Sequence, residues 1–198
     1  PKTLCYTCLL VGIILFGCNN STSEKTENII DSEGKIAEEL GKAVTHTSLS
    51  DVTPLTVEEF EAWLPQSLNG MERTGSQPGS MSRSGVSGIS ATYGDPYKKS
   101  IVILVTDGAG ALASAMGLVG GYRRQINADI DRVTEGGYSK TVTNKGVKAI
   151  ESHTKHDSSY NVTTLFGDRF GIELRSTRIS LEEAWQAYHA LPLEGLLK

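Results

Sequence analysis

The chain has three cysteines among 198 residues, all within the first 18 positions, and none from Asn19 to Lys198. A domain built from that remainder has neither disulfides nor thiolate metal sites, so a hydrophobic core must hold it together. Positive charge is also short: 19 Lys and Arg stand against 23 Asp and Glu, a formal net charge of −4. No basic stripe is available to release counterions from a phosphate backbone, which argues against nucleic-acid binding. Long apolar runs are missing too. The 14 residues from Leu4 to Gly17, at about 1.5 Å each in a helix, fall short of a hydrocarbon core of roughly 30 Å. Signs of covalent catalysis are thin. Gly85-Val86-Ser87-Gly88 lacks the final spacing of a G-x-S-x-G elbow, and no pair of carboxylates stands apart as an acid and base.

The N-terminus is the most informative stretch. Lys2, the apolar residues Leu9 to Phe16, and Gly17 supply in order the positive start, apolar middle and small residue that a secretory leader needs. Leu15-Phe16-Gly17-Cys18 resembles the lipobox of bacterial lipoprotein signal peptides. That resemblance implies cleavage after Gly17 and a diacylglycerol on the thiol of Cys18, with acyl chains such as palmitate. Each buried methylene is worth about 0.8 kcal/mol, so several chains on one residue hold a protein firmly on a bilayer. The implied location is the cell envelope, with the domain in the periplasm or at the cell surface. An ordinary signal peptide cut near Gly17, or an uncleaved apolar N-terminus, are the alternatives. Cys5-Tyr6-Thr7-Cys8 spells a C-x-x-C, but it lies in the leader and would be discarded with it.

Three regions follow: a signal peptide over 1–17, a lipidated tether with a short amphipathic helix over 18–50, and one globular domain over 51–198. Asn19 to Asn28 carries no apolar residue and reads as solvated tether. Ile36, Leu40 and Val44 repeat at helical spacing and predict a helix over Asp31 to Thr45. In the domain, Thr56 caps a helix that runs from Val57 to Leu64 and stops at Pro65. Gly75 to Gly88, rich in Gly and Ser, predicts a mobile loop. Ser90 to Tyr93 and Ile101 to Val105 form a hairpin through Gly94-Asp95-Pro96. Gly108 to Gly121 predicts one closely packed helix. Strands near 129–134, 138–143, 147–153, 160–166 and 170–175 are separated by turn sequences such as Asn144-Lys145-Gly146. Ser180 with Glu183 opens the last helix, whose Leu181, Ala184, Trp185 and Tyr188 face one side. The fold class expected is α+β: an antiparallel β-sheet meander with helices packed on one face. Ala91-Thr92-Tyr93-Gly94 and Gly167-Asp168-Arg169-Phe170 resemble segments of small bacterial envelope lipoproteins, a likeness that carries no activity with it.

Several motifs have two readings. Gly108-Ala109-Gly110-Ala111-Leu112-Ala113 matches a dinucleotide fingerprint, yet the hairpins after it favour glycines that allow close packing, and no cofactor is expected. Val105-Thr106-Asp107-Gly108 resembles a metal-site segment of von Willebrand factor A domains, but the D-x-S-x-S loop that supplies most ligands there is missing. His153, His156 and Asp157 are the candidate metal ligands, chemically adequate for a divalent cation but set at an expected hairpin tip. Asp129 and Asp131 alternate and would share a strand face. The expected function is a non-catalytic envelope module, binding or structural, held to the membrane by its lipid and engaging an envelope protein or a small apolar ligand against its sheet. A membrane-tethered hydrolase or metal-dependent enzyme using His153, His156 or Asp107 is the rival. A lipid carrier, the third reading, requires a continuous cavity along the inner sheet face.

Overall fold

Apolar residues at every second position from Ile89 to Tyr93 and from Ile101 to Val105, and again at Ile172 and Leu174, put one set of side chains on one side of a pleated sheet. A computed structural model describes residues 48–197, which belong to one compact unit. Cys18, the leader and the Asp31 to Thr45 helix lie outside the described residues. Nine strands form one antiparallel sheet: β1 (Ser67–Leu68), β2 (Met71–Pro78), β3 (Gly88–Gly94), β4 (Ser100–Asp107), β5 (Asp131–Thr134), β6 (Gly137–Asn144), β7 (Val147–Thr154), β8 (Ser159–Phe166) and β9 (Phe170–Thr177). Their order is β1-β2-β3-β4-β9-β8-β7-β6-β5. Two meanders, β1–β4 and β5–β9, are therefore sewn together where β4 meets β9, from Ser100 opposite Thr177 to Asp107 opposite Phe170. The molecule is α+β with an antiparallel meander sheet, as the turn and strand signals imply.

The helices are α1 (Val57–Trp63), α2 (Ala111–Ala115), α3 (Leu118–Asn127) and α4 (Leu181–His189). Thr56 with Glu59 and Ser180 with Glu183 both close reciprocal capping boxes, satisfying N-terminal amides of α1 and α4. Leu64 is extended because Pro65 follows it. These two helices and the turn at Leu193–Leu197 supply Phe60, Ala184, Ala187, Tyr188 and Leu196 to a core that also takes Ile101, Ile103, Val105, Val162, Ile172 and Leu174. Phe60 meets Phe170 edge-on at 6.5 Å between ring centres. Full burial of each such side chain contributes about 1.5–3 kcal/mol.

Three expectations need correction. Gly75 to Gly88 is not one mobile loop. β2 runs on to Pro78, with Gln77 opposite Ser90 and Pro78 opposite Ile89, and a bulge sits between Arg73 and Gly75. β1 pairs only with Met71 and Glu72, so the rest of β2 is the edge of the sheet; exposed on both faces, it needs only backbone bonds to β3 and carries no apolar alternation to reveal it. Gly108 to Gly121 holds two helices rather than one, because Gly117 takes a left-handed φ of 64° between α2 and α3. Asp129 precedes β5, so it and Asp131 do not alternate along a strand.

The chain before α1, the end of β4 and the start of β9 converge on one side chain. Asp107, 0% exposed, accepts at Oδ1 from Arg169 Nε (2.8 Å) and the Ala109 amide (2.9 Å). At Oδ2 it accepts from Arg169 Nη2 (2.7 Å) and the Leu55 amide (2.9 Å). Arg169 Nη2 also reaches the Thr53 carbonyl at 3.2 Å. Arg169→Met strands a buried carboxylate and should destabilise the protein by about 3–5 kcal/mol in urea unfolding. Asp107→Leu combined with Arg169→Met should cost less than the two single changes summed, because they remove one shared interaction. A loss within about 0.5 kcal/mol for Arg169→Met, the usual range of a surface change, would show that the pair does not organise this junction.

Candidate functional site

Residues that alternate with the core point to the other side of the sheet, which the helices only partly cover. One transverse row of this outer face reads Gln77, Ser90, Leu104, Glu173, Thr163 from β2 to β8, and the next reads Thr92, Val102, Arg175, Asn161, Ser152 from β3 to β7. A third row, Thr106, Gly171 and Leu165, lies toward α3. To the expected helical layer on the core face, the structure thus adds a second, partial layer on the outer face. Gly171 permits this layer, because a Cβ there would collide with the Tyr122 ring. From that position the Tyr122 hydroxyl donates to Glu173 Oε1 at 2.8 Å. Burial first, and then the Glu173 charge, push the Tyr122 phenol well above its ordinary range.

Beyond Tyr122 the outer face is open and forms a groove of about 430 Å³. Val102 and Leu104 give it an aliphatic floor, Gln77, Pro78 and Ser80 a wall, and Ser90, Ser152, Asn161, Thr163, Glu173 and Arg175 polar groups that converge on it. Arg175 Nε donates to Asn161 Oδ1 at 3.0 Å. Among the described residues no opposite charge lies within ion-pair distance of Glu173 or Arg175. The groove can hold a small molecule by hydrogen bonds and charge over a short apolar strip.

The residues named from the sequence lie elsewhere. His153, on β7, is stacked on Tyr160 with ring centres 4.4 Å apart and tilted against Tyr138 at 5.7 Å. It belongs to a cross-strand ladder on the core-facing side. His156 and Asp157 sit in the β7–β8 turn, where Asp157 Oδ1 accepts from the Ser159 amide at 3.1 Å. Hydrogen bonding to Ser159 holds its carboxyl below the usual range. Among the described residues no group of three or more His, Cys, Asp or Glu is gathered as metal ligands would be. Asp107 is occupied by Arg169. The glycines of Gly108 to Ala113 do serve close packing: a Cβ on Gly108 would run into Val119 and the Arg169 carbonyl. They follow a strand in an antiparallel sheet rather than opening a βαβ unit. The inner sheet face, where a lipid carrier would need its cavity, is filled by side chains such as Ile103, Val105, Phe170 and Ile172 at 0% exposure.

Glu173 and Arg175 went unnamed in the sequence although the alternation Ile172-Glu173-Leu174-Arg175 marks them as facing outward. Glu151 is a second polar centre of this kind. At 5% exposure it accepts from Tyr138 Oη at 2.7 Å and Trp185 Nε1 at 3.0 Å, which ties α4 to the sheet.

Burial raises the phenol pKa of Tyr93, Tyr122, Tyr138 and Tyr188. A tyrosine whose folded value is raised favours folding while it stays neutral. That contribution is complete below the unfolded value of about 10 and disappears as pH rises through the folded values. The urea midpoint should therefore fall above about pH 10, with less loss in Tyr122→Phe, and a midpoint equally steep in both proteins would contradict the assignment. Comparisons of the chain with protein-family models, with curated proteins and with solved structures found no match.

Proposed function

We propose that this chain is a lipid-anchored protein of the bacterial cell envelope and that its described domain is a non-catalytic binding module whose ligand lies in the groove of the outer sheet face. The Leu15-Phe16-Gly17-Cys18 segment supports the anchor. Among the described residues no helix is long and apolar enough to cross a membrane; the attachment proposed is acylation of Cys18. The observation that carries the binding reading is the groove itself. Its volume of about 430 Å³ lies within the roughly 300–1,000 Å³ typical of small-molecule sites, and its lining, mostly polar groups around the aliphatic Val102 and Leu104, suits a polar ligand.

The enzymatic rival draws no comparable support. General-base or nucleophilic chemistry needs a reactive group and its activator within hydrogen-bond reach. The side chains named for such a role hold structural contacts instead: Asp107 with Arg169, and His153 between two tyrosine rings. Glu173 is bonded to a phenol whose pKa is raised, a donor that does not activate it as a base.

Mass spectrometry of the protein from native membranes should find a diacylglycerol thioether on Cys18, and Cys18→Ser should move the protein from the membrane to the soluble fraction. An unmodified Cys18 sulfur in the native protein would defeat the anchor. For the groove, Ser90→Trp should fill the space above Leu104 with little change in melting temperature and abolish any small-molecule mass that native spectrometry finds on the wild type. Retention of that mass by Ser90→Trp would place the ligand elsewhere.

A further inference from the structure

Glu173 and Arg175 pose a question that the binding reading alone does not answer. They are two residues apart on β9 and face the same side, which puts their backbone positions roughly 6.6–6.8 Å apart. Opposite charges so placed are near enough to pair, although an exposed pair gains only about 0–1 kcal/mol. Here a neutral partner engages each one. The Tyr122 hydroxyl holds Glu173 at Oε1, and Asn161 Oδ1 takes Arg175 Nε. Both partners are themselves positioned: Tyr122 by the space over Gly171, and Asn161 by its place directly opposite Arg175 on β8. The carboxylate keeps an oxygen, and the guanidinium keeps its two terminal nitrogens, without a partner among the described residues.

We infer that the groove binds a small zwitterion, with a protonated amine against Glu173 and a carboxylate against the terminal nitrogens of Arg175, and that its class is a short peptide of about two residues. This rests on the reading of the groove as the binding site. Charge complementarity selects the zwitterion, since the groove offers one carboxylate, one guanidinium and otherwise neutral groups. Reach selects the length. Extended chain spans roughly 3.3–3.6 Å per residue, so the two ends of a dipeptide lie about as far apart as the backbone positions of Glu173 and Arg175 from which the two charged side chains rise. Thr163 and Ser90 flank Glu173 and Leu104 in one row, and Ser152 stands next to Asn161 in the other. They are groups suited to a peptide amide in between. Val102 and Leu104 meet its small side chains. Arg175 rather than Lys suits the carboxylate end, because a planar guanidinium can present two donors to both oxygens.

The test titrates the full protein with L-alanyl-L-alanine, its N-acetyl derivative and its C-terminal amide, followed by calorimetry or by chemical shifts of the groove residues. The free dipeptide should bind saturably, and each cap should weaken binding about tenfold, equivalent to about 1.4 kcal/mol. Glu173→Gln should weaken the free dipeptide and erase the penalty of acetylation while keeping that of amidation. Arg175→Gln should do the reverse. Melting curves of both variants should match the wild type, which separates lost recognition from lost folding. Capped and free dipeptides binding equally would overturn the zwitterion and leave the groove standing as a site. No saturable binding of any of the three would overturn the inference as well, and the Ser90→Trp comparison would then judge the groove on its own.

Discussion

The pairing of β4 with β9 is the constraint on which the remaining structure depends. It joins Ser100–Asp107 to Phe170–Thr177, strands far apart in the chain, and it turns two meanders into one sheet with a shared core. At its end lies the Asp107–Arg169 pair, bound also to the amide of Leu55 and the carbonyl of Thr53. A buried ion pair adds little net stability over a well-packed apolar pair, because desolvation offsets attraction. Its value here is geometric. Four donors converge on one carboxylate, which ties the N-terminal segment, the end of β4 and the start of β9 to one point.

That seam also creates the outer-face groove. With β9 beside β4, Glu173 and Arg175 fall next to Leu104 and Val102, and β8 then brings Thr163 and Asn161 alongside. The core face is filled by α1, α4 and large side chains, so the open groove, where the proposed ligand would lie, is on the other face. There α3 covers only the end nearest Gly171, where Tyr122 packs over that glycine and engages Glu173. One glycine thus links packing to the electrostatics of the site: its missing Cβ admits the ring whose hydroxyl holds the carboxylate.

Much of the fold could be read from local pattern. The capping residues Thr56 and Ser180, the hairpin through Gly94, the five C-terminal strands and the inward residues of α4 all follow from short-range chemistry that acts within a few residues. The failures have the same origin. β2 is paired through its backbone while its side chains stay exposed, so its residues carry no mark of the strand. The break at Gly117 is a backbone conformation that one glycine among several in an Ala- and Gly-rich run does not announce. For the candidate site, outward direction was legible in Ile172-Glu173-Leu174-Arg175, but neighbours were not.

What the sequence by itself determined is therefore which residues are inside and which outside, where helices begin, and where the chain turns, because period-two and helical spacing and capping bonds are local. The lipobox resemblance at Cys18 is local in the same way. Only the tertiary structure decided that Asp107 would be consumed by Arg169, that His153 would stack on Tyr160 beside Tyr138, and that Glu173 would share a groove with Asn161 and Ser90. Those outcomes depend on strand order and register, which are set by contacts between residues far apart in the chain. Nothing in the spacing of neighbouring residues encodes them.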